Sequence, residues 1–263
     1  MTTENLWWAC VAVFVPLFPL SMIFNAAYAA VRWTWVRLVM LLLWPQIGLW
    51  LVPAASAAPA HRLAPWLSLL GLATGVFYAW RLLSVRALNV WVSFWATSAW
   101  SLAWAVMLGG GHGADLRIAM AGVSVTAAAL ACGVRALADC WGEAYLGPRR
   151  GLGRQAPRLA GVLVVALLAA MGTPVLPMFF VMLWLVMHTD GYGVAGAMVV
   201  WLLWSWSAAR VWQVLLFGAE RKEAFWSQEA VTDLSRFSTM SALLLAIAGA
   251  GAAMIWSARW LMQ

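Results

Sequence analysis

The apolar residues of this chain come in blocks of about 20, the length that carries an α-helix across a hydrocarbon core of ~30 Å. Arginines, prolines and short polar stretches separate the blocks. A soluble fold of 263 residues is excluded, because only 10% of the chain is charged, against roughly 25% in soluble domains. A membrane β-barrel is excluded too, since its strands read as ~10-residue segments with alternating polar positions. The expectation is an all-α fold: one polytopic transmembrane helical bundle over residues 1–263, with no soluble domain. About eight spans are predicted, at 7–30, 36–54, 64–82, 87–108, 116–136, 158–187, 194–217 and 239–260. The first block follows Glu4 with no basic residue before it, so it reads as a retained span rather than a cleaved signal peptide.

The charges sort by loop parity. Loops one, three, five and seven hold Arg32, Arg37, Arg81, Arg86, Arg135, Arg149, Arg150, Arg154, Arg158, Arg221, Lys222 and Arg236. The opposite side has only Arg62, Arg117 and Arg259. The positive-inside rule then places the odd loops in the cytoplasm and both termini outside. It also explains the net charge of +7 without invoking nucleic acid. Two cytoplasmic loops are long, 137–157 and 218–238, and 219–236 could lie along the membrane as an amphipathic helix.

The span 158–187 is long for one crossing and short for two. In its middle stands Gly172-Thr173-Pro174-Val175-Leu176-Pro177. Prolines three apart remove backbone donors and push the residues before them out of the helical region. One discontinuous helix is therefore predicted near 172–177, with Gly172, Thr173, Pro174 and Pro177 as candidate pathway residues. Broken helices at membrane depth occur where protein or a water-filled cavity satisfies the freed carbonyls, and they often mark transport sites. A plain kink or a short outer turn is the alternative.

The chemistry of a pump is missing. None of the nine acidic residues lies mid-span, and the only lysine, Lys222, is in a loop. A carried proton needs an ionisable group in the membrane, and the one candidate is Arg210. It reads either as a side chain snorkelling to the boundary or as the partner of an acid on another subunit. His61, His112 and His188 fall in even-numbered loops, which disfavours a b-type haem. His112 with Asp115, and His188 with Asp190, could instead assemble a copper or zinc site on the outer side. The cysteines, Cys10, Cys132 and Cys140, have neither disulfide nor zinc-knuckle spacing. No cofactor is indicated.

The 21 tryptophans are the compositional oddity. Trp7, Trp8, Trp33, Trp35, Trp66, Trp80, Trp226 and Trp260 suit the headgroup belt. Trp91 with Trp95, and Trp100 with Trp104, are spaced i, i+4 within a span, one helix face for each pair. These pairs face lipid or other helices, or line a quinone or ligand slot.

From Arg135 to Gly218 the chain resembles the C-terminal part of the proton-translocating antiporter-like subunits of complex I and Mrp antiporters. The resemblance is carried by Gly151-Leu152-Gly153-Arg154-Gln155-Ala156-Pro157-Arg158-Leu159-Ala160, then Gly172-Thr173-Pro174, then Leu216-Phe217-Gly218. The opening Val15-Pro16-Leu17-Phe18-Pro19-Leu20 is similar to the first helix of such subunits. Where that family places a glutamate after the break, this chain has Met178-Phe179-Phe180-Val181-Met182-Leu183, and the midplane lysines and histidines have no counterpart. The resemblance thus implies a shortened, degenerate member in a bacterial inner membrane. It implies an accessory, non-pumping subunit, with other membrane subunits as partners, in a complex I-like, hydrogenase-linked or inorganic-carbon-uptake assembly. A stand-alone carrier or channel for a small solute, or a membrane metalloprotein subunit, are the alternatives.

Overall fold

A computed structural model describes residues 3–55, 60–107, 113–142, 144–147, 151–217 and 233–261. The fold is an all-α bundle: α1 (Thr3–Phe14), α2 (Ser21–Ala30), α3 (Thr34–Ala55), α4 (Ala60–Arg81), α5 (Leu88–Ser101), α6 (Ala103–Met107), α7 (Ala114–Trp141), α8 (Leu152–Gln155), α9 (Pro157–Ala170), α10 (Pro177–Met187), α11 (Gly191–Leu216) and α12 (Arg236–Leu261). Five stretches of the described residues are long and apolar enough to cross a membrane: Thr34–Val52, Leu88–Met107, Ala114–Trp141, Gly191–Leu216 and Ser238–Arg259.

The predicted discontinuity is present, with α9 ending at Ala170 and α10 starting at Pro177. A second one was not expected. The stretch 7–30, which has the length of a single span, is two helices, α1 and α2, parted at residues 15–20. Its cause is the same sequence device, because Pro16 and Pro19 stand three apart like Pro174 and Pro177. Two smaller differences concern boundaries. His61, expected in a loop, lies in the first turn of α4, and α7 continues to Trp141, into the segment expected as the loop 137–157. There Gly142, at φ 79°, ends α7 in the left-handed conformation that glycine adopts without strain. Of the expected loop 218–238, residues 218–232 lie outside the described residues.

The α5–α6 rod is the centre of the bundle. In its apolar stretch 89% of residues are buried, against 6% in α12 at the periphery. Helix α4 packs closely on this rod because Gly71 has no side chain: a Cβ there would stand 2.6 Å from the Trp104 Cβ and 2.9 Å from the Ser101 carbonyl oxygen. Small residues allow such close backbone approach, and helix packing in a membrane relies on it.

Contacts between loops confirm how the ends are grouped. The loop before α5 pairs with the segment after α7, through Leu88 N–H to the Ala144 carbonyl and Leu146 N–H to the Arg86 carbonyl. Asp233, before α12, caps the start of α9: its carboxylate accepts from the N–H groups of Arg158 and Leu159 at 3.1 and 3.0 Å. At the other end of the bundle, Gln46 late in α3 donates to the Arg117 carbonyl early in α7. There too, Trp256 of α12 donates to the Asp115 carboxylate at 3.0 Å. Loops three, five and seven therefore share one end, as the charge pattern requires.

Candidate functional site

Each proline that interrupts a helix strips a carbonyl of its usual partner, so each break can be checked carbonyl by carbonyl. In the first, Pro16 and Pro19 cannot serve the carbonyls four residues earlier, those of Ala12 and Val15. The Leu17 N–H shifts to the Ala12 oxygen at 3.0 Å. That shift leaves the Val13 oxygen without the donor a regular helix would supply. An indole N–H from Trp44 of α3 takes the Val13 oxygen at 3.0 Å, and one from Trp104 of α6 takes the Val15 oxygen at 3.0 Å. The loose Phe18 N–H bonds to the Thr74 hydroxyl of α4 at 3.1 Å.

The second break repeats the solution. Pro174 cannot serve the Ala170 carbonyl, which accepts the Trp95 indole N–H of α5 at 3.2 Å. The neighbouring Met171 carbonyl accepts the Trp201 indole of α11 at 2.6 Å. Thr173 turns back on its own helix, both its N–H and its hydroxyl reaching the Leu168 oxygen. Gly172 sits at φ 65°, where a Cβ would stand 2.8 Å from the Trp201 Nε1. Only glycine meets both the backbone conformation and the close approach of that ring. At the first break α3 comes equally close, since a Cβ on Gly48 would lie 2.7 Å from a Val15 methyl.

Four indole donors thus occupy the carbonyls that the two breaks release, and none of the four can ionise. The central rod supplies one to each break. Trp91 and Trp95 lie on one face of the rod: Trp91 donates to the Ser207 hydroxyl of α11, and the Trp95 ring packs 5.5 Å from Trp204. Trp100 and Trp104 lie on the other face, against Phe24 of α2 at 5.0 Å and Trp8 of α1 at 5.9 Å. All four side chains are at most 1% exposed, so both pairs face protein rather than lipid. Trp8, expected in the headgroup belt, is also buried, because the 12-residue α1 brings it close to the break instead of the bilayer edge. Trp33, Trp35, Trp66 and Trp80 are well exposed.

The other expected residues do not converge on these breaks. Arg210 points its guanidinium along α11 towards the loop before α5, reaching the Val85 carbonyl at 3.5 Å. Asp115 accepts the Trp256 indole, and His188 stacks on Trp184 at 4.7 Å with Nδ1 2.8 Å from the Trp184 carbonyl oxygen. Asp190 is the N-cap residue of α11, and its carbonyl accepts the Val194 N–H. His112 lies outside the described residues. Among the described residues no three of His, Cys, Asp and Glu gather into a metal-binding group. The four capping tryptophans are what sequence reasoning misses. The repeated Pro-x-x-Pro is a usable signal for the break at 15–20, but no spacing reveals which indole meets which carbonyl.

No protein-family model matches the chain. No curated protein sequence matches it either. Solved structures do. A chain of respiratory complex I from Thermus thermophilus, solved with bound NADH, superposes with a TM-score of 0.80 at 16% identity, over 97% of this chain and 58% of that one. A chain of the membrane-bound sulfane sulfur reductase, an archaeal respiratory membrane complex, gives 0.77 at 17% identity, over 94% and 52%. A chain of the Mrp complex from Dietzia sp. gives 0.75 at 15% identity, over 94% and 56%. The chain spans a little over half the length of each. Its fold is that of a membrane subunit found in complex I, the sulfane sulfur reductase and the Mrp complex, in shortened form.

Proposed function

We propose that this chain is an accessory subunit of a multi-subunit, ion-coupled membrane complex and that it does not itself carry protons. One observation carries the reading: the carbonyls at both helix breaks are held by tryptophan N–H groups. In discontinuous transporter helices the unwound carbonyls and half-helix ends coordinate the coupling ion. Here those oxygens already have donors that neither ionise nor exchange a proton with a carried one. The likeness to subunits of larger assemblies supports a role beside other membrane chains, forming a wall of a pathway or docking a partner.

The same reading sets a topology of eight crossings, two of them broken, in the plasma membrane of a bacterium or archaeon. The arginine-rich ends, with loops 137–157 and 218–238, face the cytoplasm and both termini face out. Gly172, Thr173, Pro174 and Pro177 are then structural remnants of a pathway, and Arg210 snorkels to the cytoplasmic boundary.

Two measurements test this. Extraction in a mild detergent followed by mass spectrometry is expected to recover other membrane chains in fixed ratio. Reconstituted alone in liposomes, the protein is expected to pass protons and sodium no faster than empty vesicles. A lone chain that sustains gradient-driven cation flux overturns the proposal, and flux of a neutral solute by the lone chain makes it a carrier instead.

A further inference from the structure

An open cleft of about 720 Å³ lies where the start of α3 meets the last turns of α7, framed by Arg32, Trp33, Thr34, Trp35, Leu38 and Arg135. Its chemistry is mixed in a particular way, with two guanidinium groups, two indoles and the aliphatic side chain of Leu38. Arg32 has no carboxylate partner among the described residues. Arg135 pairs with Asp139 at 2.8 Å one helical turn away, but both side chains are more than half exposed. Such a pair is worth at most about 1 kcal/mol and leaves the guanidinium able to accept another anion. Arg37 is not available in the same way, because its Nε donates to the Val31 carbonyl and its guanidinium lies 5.2 Å over the Tyr28 ring. Trp33 and Trp35 are 65% and 61% exposed with rings 5.8 Å apart, so two large amphipathic surfaces flank the charges. Below them, Val39 and Leu42 of α3 are also exposed, and the spacing 35, 39, 42 puts them on one face beneath Trp35.

We infer that this cleft holds the phosphodiester headgroup of an anionic phospholipid, with an acyl chain lying along Trp35, Val39 and Leu42. Basic pockets between helices on the cytoplasmic side are where such headgroups bind. A free phosphate would use the arginines but gain nothing from the apolar track beneath them, and a soluble acidic partner would leave that track exposed. The inference rests on the membrane placement of the chain and is independent of its accessory role.

The test is native mass spectrometry of the delipidated full chain, titrated with phosphatidylglycerol and with phosphatidylcholine of the same acyl composition. One phosphatidylglycerol is expected to be retained in clear preference to phosphatidylcholine. A basic residue near the surface contributes about fivefold to anionic-lipid affinity, so R32Q alone should weaken phosphatidylglycerol about fivefold and R32Q/R135Q about 25-fold. Phosphatidylcholine should be unaffected by either change, and R259Q, at the opposite end of the bundle, should change neither lipid. The single variant, which breaks no contact described above, keeps the test valid if the double variant is unstable. Equal binding of the two lipids, an unchanged preference in R32Q, or displacement of phosphatidylglycerol by excess inorganic phosphate would each overturn the inference.

Discussion

Replacing Trp104 by phenylalanine isolates the bond that closes the first break. The Val15 carbonyl cannot be served by the residue four positions on, because that residue is Pro19. With the indole gone, the oxygen is buried and unpaired, at a cost of about 1–3 kcal/mol. The smaller ring adds a second cost, since losing about 40 Å³ at ~24 cal/mol per Å³ comes to about 1 kcal/mol. The expected total is about 2–4 kcal/mol. Trp100→Phe is the internal control. Trp100 is as buried as Trp104, both at 0% exposure, but its N–H has no hydrogen-bond partner among the described residues. That change should therefore cost only the volume term, about 1 kcal/mol. Reversible unfolding in mixed micelles, titrated with a denaturing detergent and followed by tryptophan fluorescence and circular dichroism, gives both values on one scale. If Trp100→Phe destabilises the protein as much as Trp104→Phe, the indole bond to Val15 is not what closes the break.

Gly172→Ala is expected to cost about 2–4 kcal/mol in the same assay, from left-handed backbone strain together with loss of the Trp201 bond to the Met171 carbonyl. A cost of only ~1 kcal/mol, the strain term alone, would mean the ring moves aside freely. Asp233→Ala should remove the cap on α9, lowering stability by about 1 kcal/mol and speeding amide exchange at Arg158 and Leu159. Partial burial pushes the Asp233 carboxyl up, but the N–H groups of Arg158, Leu159 and Leu234, with the Arg158 charge, outweigh it and hold it below the usual carboxylate range. Its native value is thus lower than its unfolded one of ~3.9, so the cap contributes fully above that pH and is lost as pH falls through the lowered native value. Exchange at Arg158 and Leu159 should accordingly stay slow and pH-corrected rates level from neutrality down to about pH 4, where an early rise at pH 6 would contradict this.

The membrane class and the placement of the later break are legible in the sequence, because both follow from local chemistry: apolar block length, and a proline's missing donor. The earlier break has the same signature in Pro16 and Pro19. It is hidden because 7–30 has the right length and hydrophobicity for one crossing, and neither property distinguishes a continuous helix from two shorter ones in line. Loop grouping is legible from arginines alone and reappears in the contacts of Arg86, Ala144, Arg158 and Asp233. The tryptophans are legible only in part, for a different reason. An indole serves a membrane boundary and a buried carbonyl equally well, and only the tertiary arrangement decides. Trp8 lies in the core and Trp80 on the surface although both sit in apolar runs of similar composition.

The position of the α5–α6 rod has a mechanical consequence. Trp95 and Trp104 are nine residues apart, which on a helix of 3.6 residues per turn is a rotation of ~180° and a rise of ~13 Å. The rod is therefore pinned on opposite sides, at different depths, to two separate interruptions of the backbone. Turning it about its axis pulls one indole from Val15 as it pulls the other from Ala170, and sliding it shears both bonds together. Neither interruption keeps all of its indole donors once the rod moves, although Trp44 and Trp201 hold one carbonyl at each from outside the rod. A rod bolted through the centre in this way ties the two interruptions to each other, so a shift of the backbone at one is felt at the other.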